Sequence, residues 1–379
     1  MRRLLVPISI LLALLIAILL MALTPYGGNV SALLRIDETL TGQRGAPAGT
    51  VVLKDPGYDG MEYWQIARNM PAFFQPTRWN EITKASPGSY AYQRFLLPLL
   101  AFLLAFGQEN LLPYSFLLIN IAAIVATFFV ISTKKHRHLY AFALCLSPAA
   151  MVSLQFSLAE PLTIFLITTF LVRFTRTQRI DFPNALLLSA AVITREINIL
   201  FIVSVGGWLV WKRQWKDVLA LCIPAAAFVA LHGIIYLIFD EIPFLMSTDK
   251  RALPLTAIVE LVSGKRGYNR YTLSSIALFI GFVLPATVWV IVEIIRKRTV
   301  TFLHAMLLFF LCIMLAMPDH IWGSITSIGR VITPVYPLFA MATAKEDTLS
   351  TRLLAAILIV LGLAAAIGLA LMPHPYTVL

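Results

Sequence analysis

The chain has 379 residues, of which 59% are hydrophobic and 13% are charged. A typical soluble domain is about half apolar and about one quarter charged, so this composition excludes an ordinary soluble protein. The net charge of +11 lies mostly in short segments between apolar runs, which is typical of membrane topology signals, and we expect no nucleic-acid partner.

The apolar runs are long and continuous rather than alternating, which predicts an all-α, polytopic helical membrane protein and not a β-barrel. We expect no disulfide and no metal site from the three cysteines, because they lie inside apolar runs without CxxC spacing: Cys145, Cys222 and Cys312.

The N-terminal apolar run predicts an uncleaved membrane anchor. It follows Arg2 and Arg3 and extends to about Leu23, close to the ~20 residues that a helix needs to cross a bilayer. The apolar region of a cleavable signal peptide is shorter, at about 7–15 residues.

Hydropathy predicts about eleven spans along the chain. They lie near 4–24, 113–132, 139–155, 160–174, 183–194, 197–211, 217–239, 273–295, 302–317, 331–344 and 352–372. The apolar segment 94–107 is short for a span, which favours an interfacial or re-entrant helix.

Cationic clusters predict the orientation of these spans. Arg2 and Arg3 indicate a cytoplasmic N-terminus by the positive-inside rule. The clusters at 134–137, 173–179, 212–216 and 296–298 are also cytoplasmic only if 94–107 does not cross. The sequence therefore predicts a large extracytoplasmic loop at 25–112 that carries short interfacial helices, and a second outer loop at 240–272.

Most of the unusual polar features fall on the predicted outer face. The first loop contains Gly57-Tyr58-Asp59-Gly60-Met61-Glu62-Tyr63. Asp59 fits an acidic helix N-cap, with Glu62 at the third helical position as in a capping box. Asp59 also fits a carboxylate general base held at a helix start, and the two interpretations are compatible.

Three further ionisable residues lie beside deep apolar runs. Glu160 either caps the helix that Pro161 begins or has a functional role, because ionisable groups at such depth are costly. Arg195 and Glu196 are adjacent, and adjacent residues do not face each other on a helix, so we expect each to have a separate partner. Arg195 suits a phosphate oxygen, although a snorkelling side chain at an interfacial turn is the alternative.

The second half of the chain adds a basic outer loop and one arginine. Lys250 and Arg251, with Lys265 and Arg266, predict contact with an anionic lipid headgroup or a phosphate. Arg330 lies at the outer end of a predicted span and fits the same phosphate or a snorkelling position.

In order and spacing, several segments resemble the C-type superfamily of polytopic membrane glycosyltransferases, and most closely mannosyltransferases of the glycosylphosphatidylinositol and related bacterial type. The resemblance covers about the first 210 residues. It is carried by Tyr58 to Ala67, Tyr92 to Pro98, Leu146 to Ala149 with Ser153 to Glu160, and Thr194 to Asn198.

The resemblance implies transfer of a sugar, with inversion, from a polyprenyl-phosphate donor to a hydroxyl of a lipid or glycan acceptor at the extracytoplasmic face. The short cytoplasmic loops and the lack of a retention signal fit a bacterial plasma membrane. Of the three residues assigned to catalysis, Asp59 would be the general base, Glu62 could stand in as a second acid, and Glu160 would orient the acceptor or the sugar. The candidates for binding the phosphate or substrate are Tyr58, Tyr63, Arg94, Arg195, Glu196, Lys265, Arg266 and Arg330. An Asp-x-Asp pair is lacking, so no metal is assigned and metal dependence stays open.

This interpretation divides the chain into a glycosyltransferase module at 1–211 and a variable membrane module at 212–379. Two alternatives stay open, namely a lipid or polysaccharide transporter and a non-catalytic subunit of a membrane assembly. The last span also predicts close packing against a second copy or a partner through its small residues, which are Gly362, Ala364, Ala365, Ala366 and Gly368.

Overall fold

The structure, a computed structural model, describes residues 2–38, 45–54, 56–85, 88–132, 137–243, 255–265, 267–372 and 375–378. The described chain is mostly helical, as the sequence predicts. One hydrophobic core contains residues from both predicted modules.

The first long helix, α1, covers Arg2–Leu23, and a segment of short elements follows it. The short α-helices of this segment are α2 (Asp59–Arg68), α3 (Met70–Phe73), α4 (Trp79–Ala85) and α5 (Leu96–Leu104). Short 3₁₀ turns lie at Thr24–Tyr26, Val30–Leu34, Pro76–Arg78, Ser89–Gln93 and Glu109–Leu111. Helix α5 has 9 residues, fewer than the ~20 that span a bilayer.

The middle of the chain contains eight helices within the described ranges. They are α6 (Leu112–Ile131), α7 (His138–Cys145), α8 (Pro148–Phe156), α9 (Glu160–Thr177), α10 (Phe182–Thr194), α11 (Ile199–Trp211), α12 (Trp215–Ala220) and α13 (Cys222–Phe239). Helix α9 packs against α6 and α10, and α10 packs against α13.

The last third continues with α14 (Thr256–Val262), α15 (Arg270–Leu278) and α16 (Leu284–Lys297), the latter two joined by a π-helical segment at Phe279–Val283. The remaining helices are α17 (Phe302–Leu315), α18 (Asp319–Trp322), α19 (Ile325–Val331), α20 (Val335–Glu346) and α21 (Leu349–Ala370).

A small sheet, which the all-α prediction did not include, joins the end of the chain to the first loop. Strand β1 (Val51–Leu53) pairs antiparallel with β2 (Tyr376–Val378), with Val52 opposite Thr377. The ring of Tyr376 lies 5.0 Å from that of Tyr26. The ends of α1 and α21 and the first loop therefore lie on the same side of the molecule.

The predicted count of eleven spans is wrong. Five helices of the described chain are long and apolar enough to cross a membrane: Leu4–Tyr26, Glu109–Ile131, Trp215–Phe239, Thr272–Lys297 and Leu349–Ala370. The count rises to seven if each of two bent helix pairs is one span. By length and composition, this is the pattern of a multi-pass membrane protein.

Short length, charge and bending explain the difference. The predicted spans at 183–194, 197–211 and 302–317 form apolar helices of only 10–17 residues. Helix α9 carries three charged residues, Glu160, Arg173 and Arg176, which is more charge than a simple apolar span contains. The predicted spans at 139–155 and 331–344 belong to bent pairs.

The two bent pairs are adjacent in the fold. Helices α7 and α8 meet at an angle of 43°, and α19 and α20 meet at 59°. Helix α8 packs against α19, and α7 packs against α20. Hydropathy does not predict these pairs, because it detects apolar runs and not the angle between two successive short helices.

Some of the small residues of α21 contact other helices of the same chain. Gly362 is buried, and an added Cβ would lie 1.6 Å from the carbonyl oxygen of Leu146 at the break between α7 and α8. The carbonyl of Ala366 accepts a hydrogen bond of 2.8 Å from Gln155. Gly368 has open space around its Cα, so any contact with a second copy is confined to the outer face of this helix.

We expect Gly362→Ala to destabilise the fold, because the added methyl group would collide with backbone that cannot rotate away. A cost of about 1–3 kcal/mol is typical of overpacking. Thermal unfolding in detergent would measure it, with Gly368→Ala on the same helix as the control. Equal melting temperatures for the two variants would contradict the close approach of α21 to Leu146.

Candidate functional site

The N-terminus of α2 carries the acidic motif, but its geometry differs from the predicted capping box. Tyr58 is the N-cap residue and makes no side-chain cap hydrogen bond, while Asp59 is the first helical residue. A Cβ on Gly60 would lie 2.2 Å from the carbonyl oxygen of Phe156, so only glycine allows α2 to approach the end of α8 this closely. The predicted cap is therefore wrong, and the Asp59 side chain is available for other contacts.

The carboxylate of Asp59 forms ion pairs with two arginines through a single oxygen. Its Oδ2 lies 2.5 Å from Nη1 of Arg94 and 2.8 Å from Nη2 of Arg330. Arg94 follows the 3₁₀ turn before α5, whereas Arg330 lies near the end of α19. Asp59 is thus ion-paired both within the first loop and with the second half of the chain.

Glu160, the first residue of α9, is fully buried and is paired with two arginines. Its Oε1 lies 2.7 Å from Nη1 of Arg195 and 2.7 Å from Nε of Arg330. Its Oε2 accepts a hydrogen bond of 2.6 Å from the hydroxyl of Ser153. A buried carboxylate requires this degree of pairing, because an isolated buried charge is strongly unfavourable.

Arg195 and Glu196 have separate partners, which confirms the prediction. The backbone of Arg195 is extended between α10 and the next 3₁₀ turn, and this turns the two side chains apart. Arg195 pairs with Glu160, whereas both carboxylate oxygens of Glu196 accept hydrogen bonds from Arg94, at 3.1 and 3.2 Å.

Arg330 is the residue shared by most of these contacts. Besides its bonds to Asp59 and Glu160, it donates from Nη1 to the hydroxyl of Tyr58 at 3.0 Å. Its own carbonyl accepts a hydrogen bond of 3.2 Å from Nη1 of Arg195. We call the set defined by these contacts the charged cluster, and its members are Tyr58, Asp59, Arg94, Glu160, Arg195, Glu196 and Arg330.

Contacts that sequence reasoning missed hold Arg94 in place. Oε1 of Gln93, the residue before it, lies 3.1 Å from Nε2 of His232 on α13. Ser89, at the start of the same turn, donates a hydrogen bond of 2.7 Å to Glu241. His232 and Glu241 each lie more than 130 positions along the chain from the residue that they contact in this turn. No local sequence pattern indicates such a pairing.

The pKa values of the two acids of α2, Asp59 and Glu62, are shifted in opposite directions. Burial favours the neutral form of Asp59, but Arg330 and Arg94 outweigh it and hold the pKa of this carboxyl well below its usual range. Burial and the negative charge of Asp59 raise the pKa of Glu62 to about 7. Glu62 forms no hydrogen bond or ion pair with a described residue. It is therefore an unpaired acid beside the charged cluster.

Two buried polar groups, one in the cluster and one beside it, also lack a hydrogen-bond partner in the described part of the chain. They are Nε of Arg195 and the hydroxyl of Tyr63, which lies one helical turn beyond Asp59. Buried polar groups in native proteins are nearly always hydrogen-bonded, so such exceptions are informative. Both groups can donate to an oxygen of a bound substrate.

The predicted basic loop is not part of the cluster where the structure describes it. Lys265 is exposed and pairs with Glu260 at 3.2 Å. Arg266, Lys250 and Arg251 lie outside the described residues. Of the predicted phosphate-binding residues, the structure therefore brings together Tyr58, Arg94, Arg195, Glu196 and Arg330, with Tyr63 beside them.

Within the described ranges, no group of three or more His, Cys, Asp and Glu residues could hold a metal ion. No family model, curated protein or solved structure matches this chain.

We expect Glu160→Gln to destabilise the protein strongly, because it leaves Arg195 and Arg330 partly uncompensated in a buried site. Loss of one partner of a buried ion pair costs about 3–5 kcal/mol. Thermal unfolding of the purified protein would measure the loss, with Glu81→Gln, from the exposed Arg78–Glu81 pair, as the control. Similar stability of the two variants would argue against a tightly paired Glu160.

Proposed function

We propose that the protein is a membrane glycosyltransferase that moves a sugar from a polyprenyl-phosphate donor to an acceptor hydroxyl at the extracytoplasmic face. The observation that carries this proposal is the buried guanidinium of Arg195, whose Nε has no partner within the described chain, in a cluster that lies beside the unpaired acid Glu62. Sugar transfer from a lipid phosphate requires both a cationic group for the leaving phosphate and an acceptor for the hydroxyl proton.

Arg195 is the residue best suited to the donor phosphate. Its Nη1 is engaged by Glu160 and by the carbonyl of Arg330, which fixes the plane of the guanidinium. Nε then offers a fixed donor, and guanidinium geometry matches phosphate oxygens. Because the donor is held in advance, it can stabilise the charge that develops on the departing phosphate without reorganisation.

We assign the proton acceptor to Glu62 rather than to Asp59, to which the family resemblance gave this role. Asp59 shares one oxygen between two guanidiniums, which makes it a weak base and an effective orienting group. Glu62 lies one turn further along α2, on the same face as Asp59 and Tyr63, and is only partly buried.

The proposed transfer forms one bond at the anomeric carbon and breaks another. The acceptor oxygen forms a bond to the anomeric carbon of the sugar, and the hydroxyl proton passes to the carboxylate of Glu62. The bond between the anomeric carbon and the phosphate oxygen breaks, and the phosphate leaves with the electron pair beside Arg195. Attack opposite the leaving group inverts the anomeric configuration.

Cationic side chains at the far ends of the helices support the extracytoplasmic placement. The candidate span Leu4–Tyr26 follows Arg2 and Arg3 and ends at the first loop, which carries Asp59. The candidate span Thr272–Lys297 begins in α15, which packs against α19 of the charged cluster, and carries Arg296 and Lys297 at its other end. The positive-inside rule favours a cytoplasmic position for these cationic ends and an outer position for the cluster.

The two bent helix pairs favour a second candidate, a transporter of lipids or polysaccharides. Transporter sites are often built from broken helices, and α8 and α19 supply such elements directly beside the cluster. Transfer of labelled sugar in detergent solution would support the enzyme. Movement of a labelled lipid across proteoliposomes, without any transfer in detergent, would support the transporter.

We expect Glu62→Gln to reduce sugar transfer by about 10²–10⁴-fold, the usual contribution of a general base. In the wild type, the rate should rise as pH increases through about 7, because Glu62 accepts a proton only when it is ionised. Steady-state transfer from a polyprenyl-phosphate sugar panel, measured from pH 5 to about 9, would test both points.

Asp59→Asn provides the discriminating variant for this assignment. It removes the negative charge that helps to raise the pKa of Glu62, so the rise in rate should move to lower pH. If Asp59 were the base, Asp59→Asn would instead abolish transfer, and Glu62→Gln would keep the wild-type profile.

We expect Arg195→Lys to weaken transfer by at least about tenfold, because lysine keeps the charge but loses the planar fork. Initial rates at varied donor concentration would measure the effect. The control is Arg68→Lys, since Arg68 belongs to the same loop as Asp59 but pairs with Glu109 outside the cluster. Equal losses in both variants would remove the specific role of Arg195.

A further inference from the structure

Two short turns of the middle helices are joined by a hydrogen bond. The first turn, 178–181, connects α9 to α10, and the second, 212–214, connects α11 to α12. The backbone N–H of Ile180 in the first turn donates a hydrogen bond of 2.6 Å to Oδ1 of Asp217 in α12. This contact joins positions 37 residues apart, so the cationic segments on either side of it belong to one surface.

Five cationic side chains on these segments are exposed and unpaired. None of them forms an ion pair or a side-chain hydrogen bond with a described residue. Two carboxylates of the same segments are engaged elsewhere, since Asp217 accepts from Ile180 and Asp181 pairs with Arg173 at 2.9 Å. We call the five cations the basic patch, and its members are Arg176, Arg179, Lys212, Arg213 and Lys216.

Large aromatic side chains lie among these cations. Trp211 is 62% exposed and Trp215 is 60% exposed, although tryptophan is highly buried on average. Nζ of Lys212 lies 4.9 Å from the ring centroid of Trp211, which is a cation–π arrangement. Phe182, at the start of α10, is also exposed. The surface therefore presents aromatic rings together with positive charge.

The basic patch lies at the boundary of a candidate membrane span. Trp215 is the first residue of the span Trp215–Phe239. Tryptophan is enriched at the interface between membrane and water, because its ring is amphipathic. Lysine and arginine residues immediately beside a span are attracted to anionic headgroups. An acidic soluble partner would match the charge but would not account for exposed tryptophans at the end of a span.

We infer that the basic patch binds the headgroups of anionic phospholipids, with lipid phosphates beside its lysines and arginines and the rings of Trp211 and Trp215 at the level of the headgroups. The phosphates supply the negative charge that the five cations do not find within the described chain. The inference does not depend on the proposed sugar transfer, because the charged cluster is at the opposite end of α9, at Glu160.

The test is quenching of tryptophan fluorescence by brominated phospholipids, with the full-length protein reconstituted into phosphatidylcholine bilayers. Brominated phosphatidylglycerol is the anionic probe, and brominated phosphatidylcholine at equal mole fraction is the zwitterionic comparison. We expect a preference for phosphatidylglycerol of at least about fivefold, the factor that one cation near an anionic surface contributes. Added salt should reduce this preference, because it screens exposed charges.

Neutralising the basic patch should remove most of the preference. The variant combines Lys212→Gln, Arg213→Gln and Lys216→Gln. The matched control combines three substitutions at exposed cations that have acidic partners, so it changes the net charge equally and should keep the wild-type preference: Arg78→Gln, Lys265→Gln and Arg352→Gln.

Replacing two tryptophans locates the signal. A variant with Trp211→Phe and Trp215→Phe keeps the cations, and we expect it to lose most of the extra quenching by phosphatidylglycerol. Equal quenching of the wild type by the two lipids would overturn the inference, as would an unchanged preference in the neutralised variant. Extra quenching that survives the loss of both tryptophans would place the anionic lipid elsewhere and would also overturn it.

Discussion

The side chain of Arg330 is the contact on which the rest of the site depends. It binds Asp59 from the first loop and Glu160 from the start of α9, and its carbonyl accepts from Arg195. The first loop, the middle helices and the second half of the chain therefore meet at one guanidinium. Since Arg94 extends the same chain of contacts to Glu196, movement of the first loop would break several buried ion pairs at once.

A cluster of this kind is a costly way to hold helices together. Burying ions requires desolvation that their mutual attraction often fails to offset, and well-packed apolar residues of similar size are frequently as stable. In a chain that is 59% hydrophobic, such residues would be an easy substitute. The three arginines and three carboxylates of the cluster are consistent with the proposed site for a polar substrate, because ionisable groups near a membrane core commonly mark functional sites.

Sequence patterns identified the cluster residues better than they identified the architecture. Asp59, Glu160, Arg195 and Arg330 were recognisable because charge is rare between long apolar runs. Eleven spans were predicted because hydropathy detects an apolar run but not a bend at Leu146 or Thr333, and several runs form helices too short to cross.

The roles of Gln93 and His232, and the pairing of β1 with β2, depend on contacts between distant segments, which one sequence does not display. Gly60 gave no signal of its own, and the packing of Gly362 was predicted against a second copy or a partner rather than against Leu146, because the backbone that approaches each glycine comes from elsewhere in the fold.

The most direct test of the central claim is an experimental structure of the protein with a polyprenyl phosphonate sugar, a donor analogue that resists transfer. The account predicts that a phosphonate oxygen lies within hydrogen-bond distance of Nε of Arg195, and that the anomeric carbon faces Glu62. An analogue bound away from the cluster, with the ion pairs of Arg195 and Arg330 unchanged, would contradict the account.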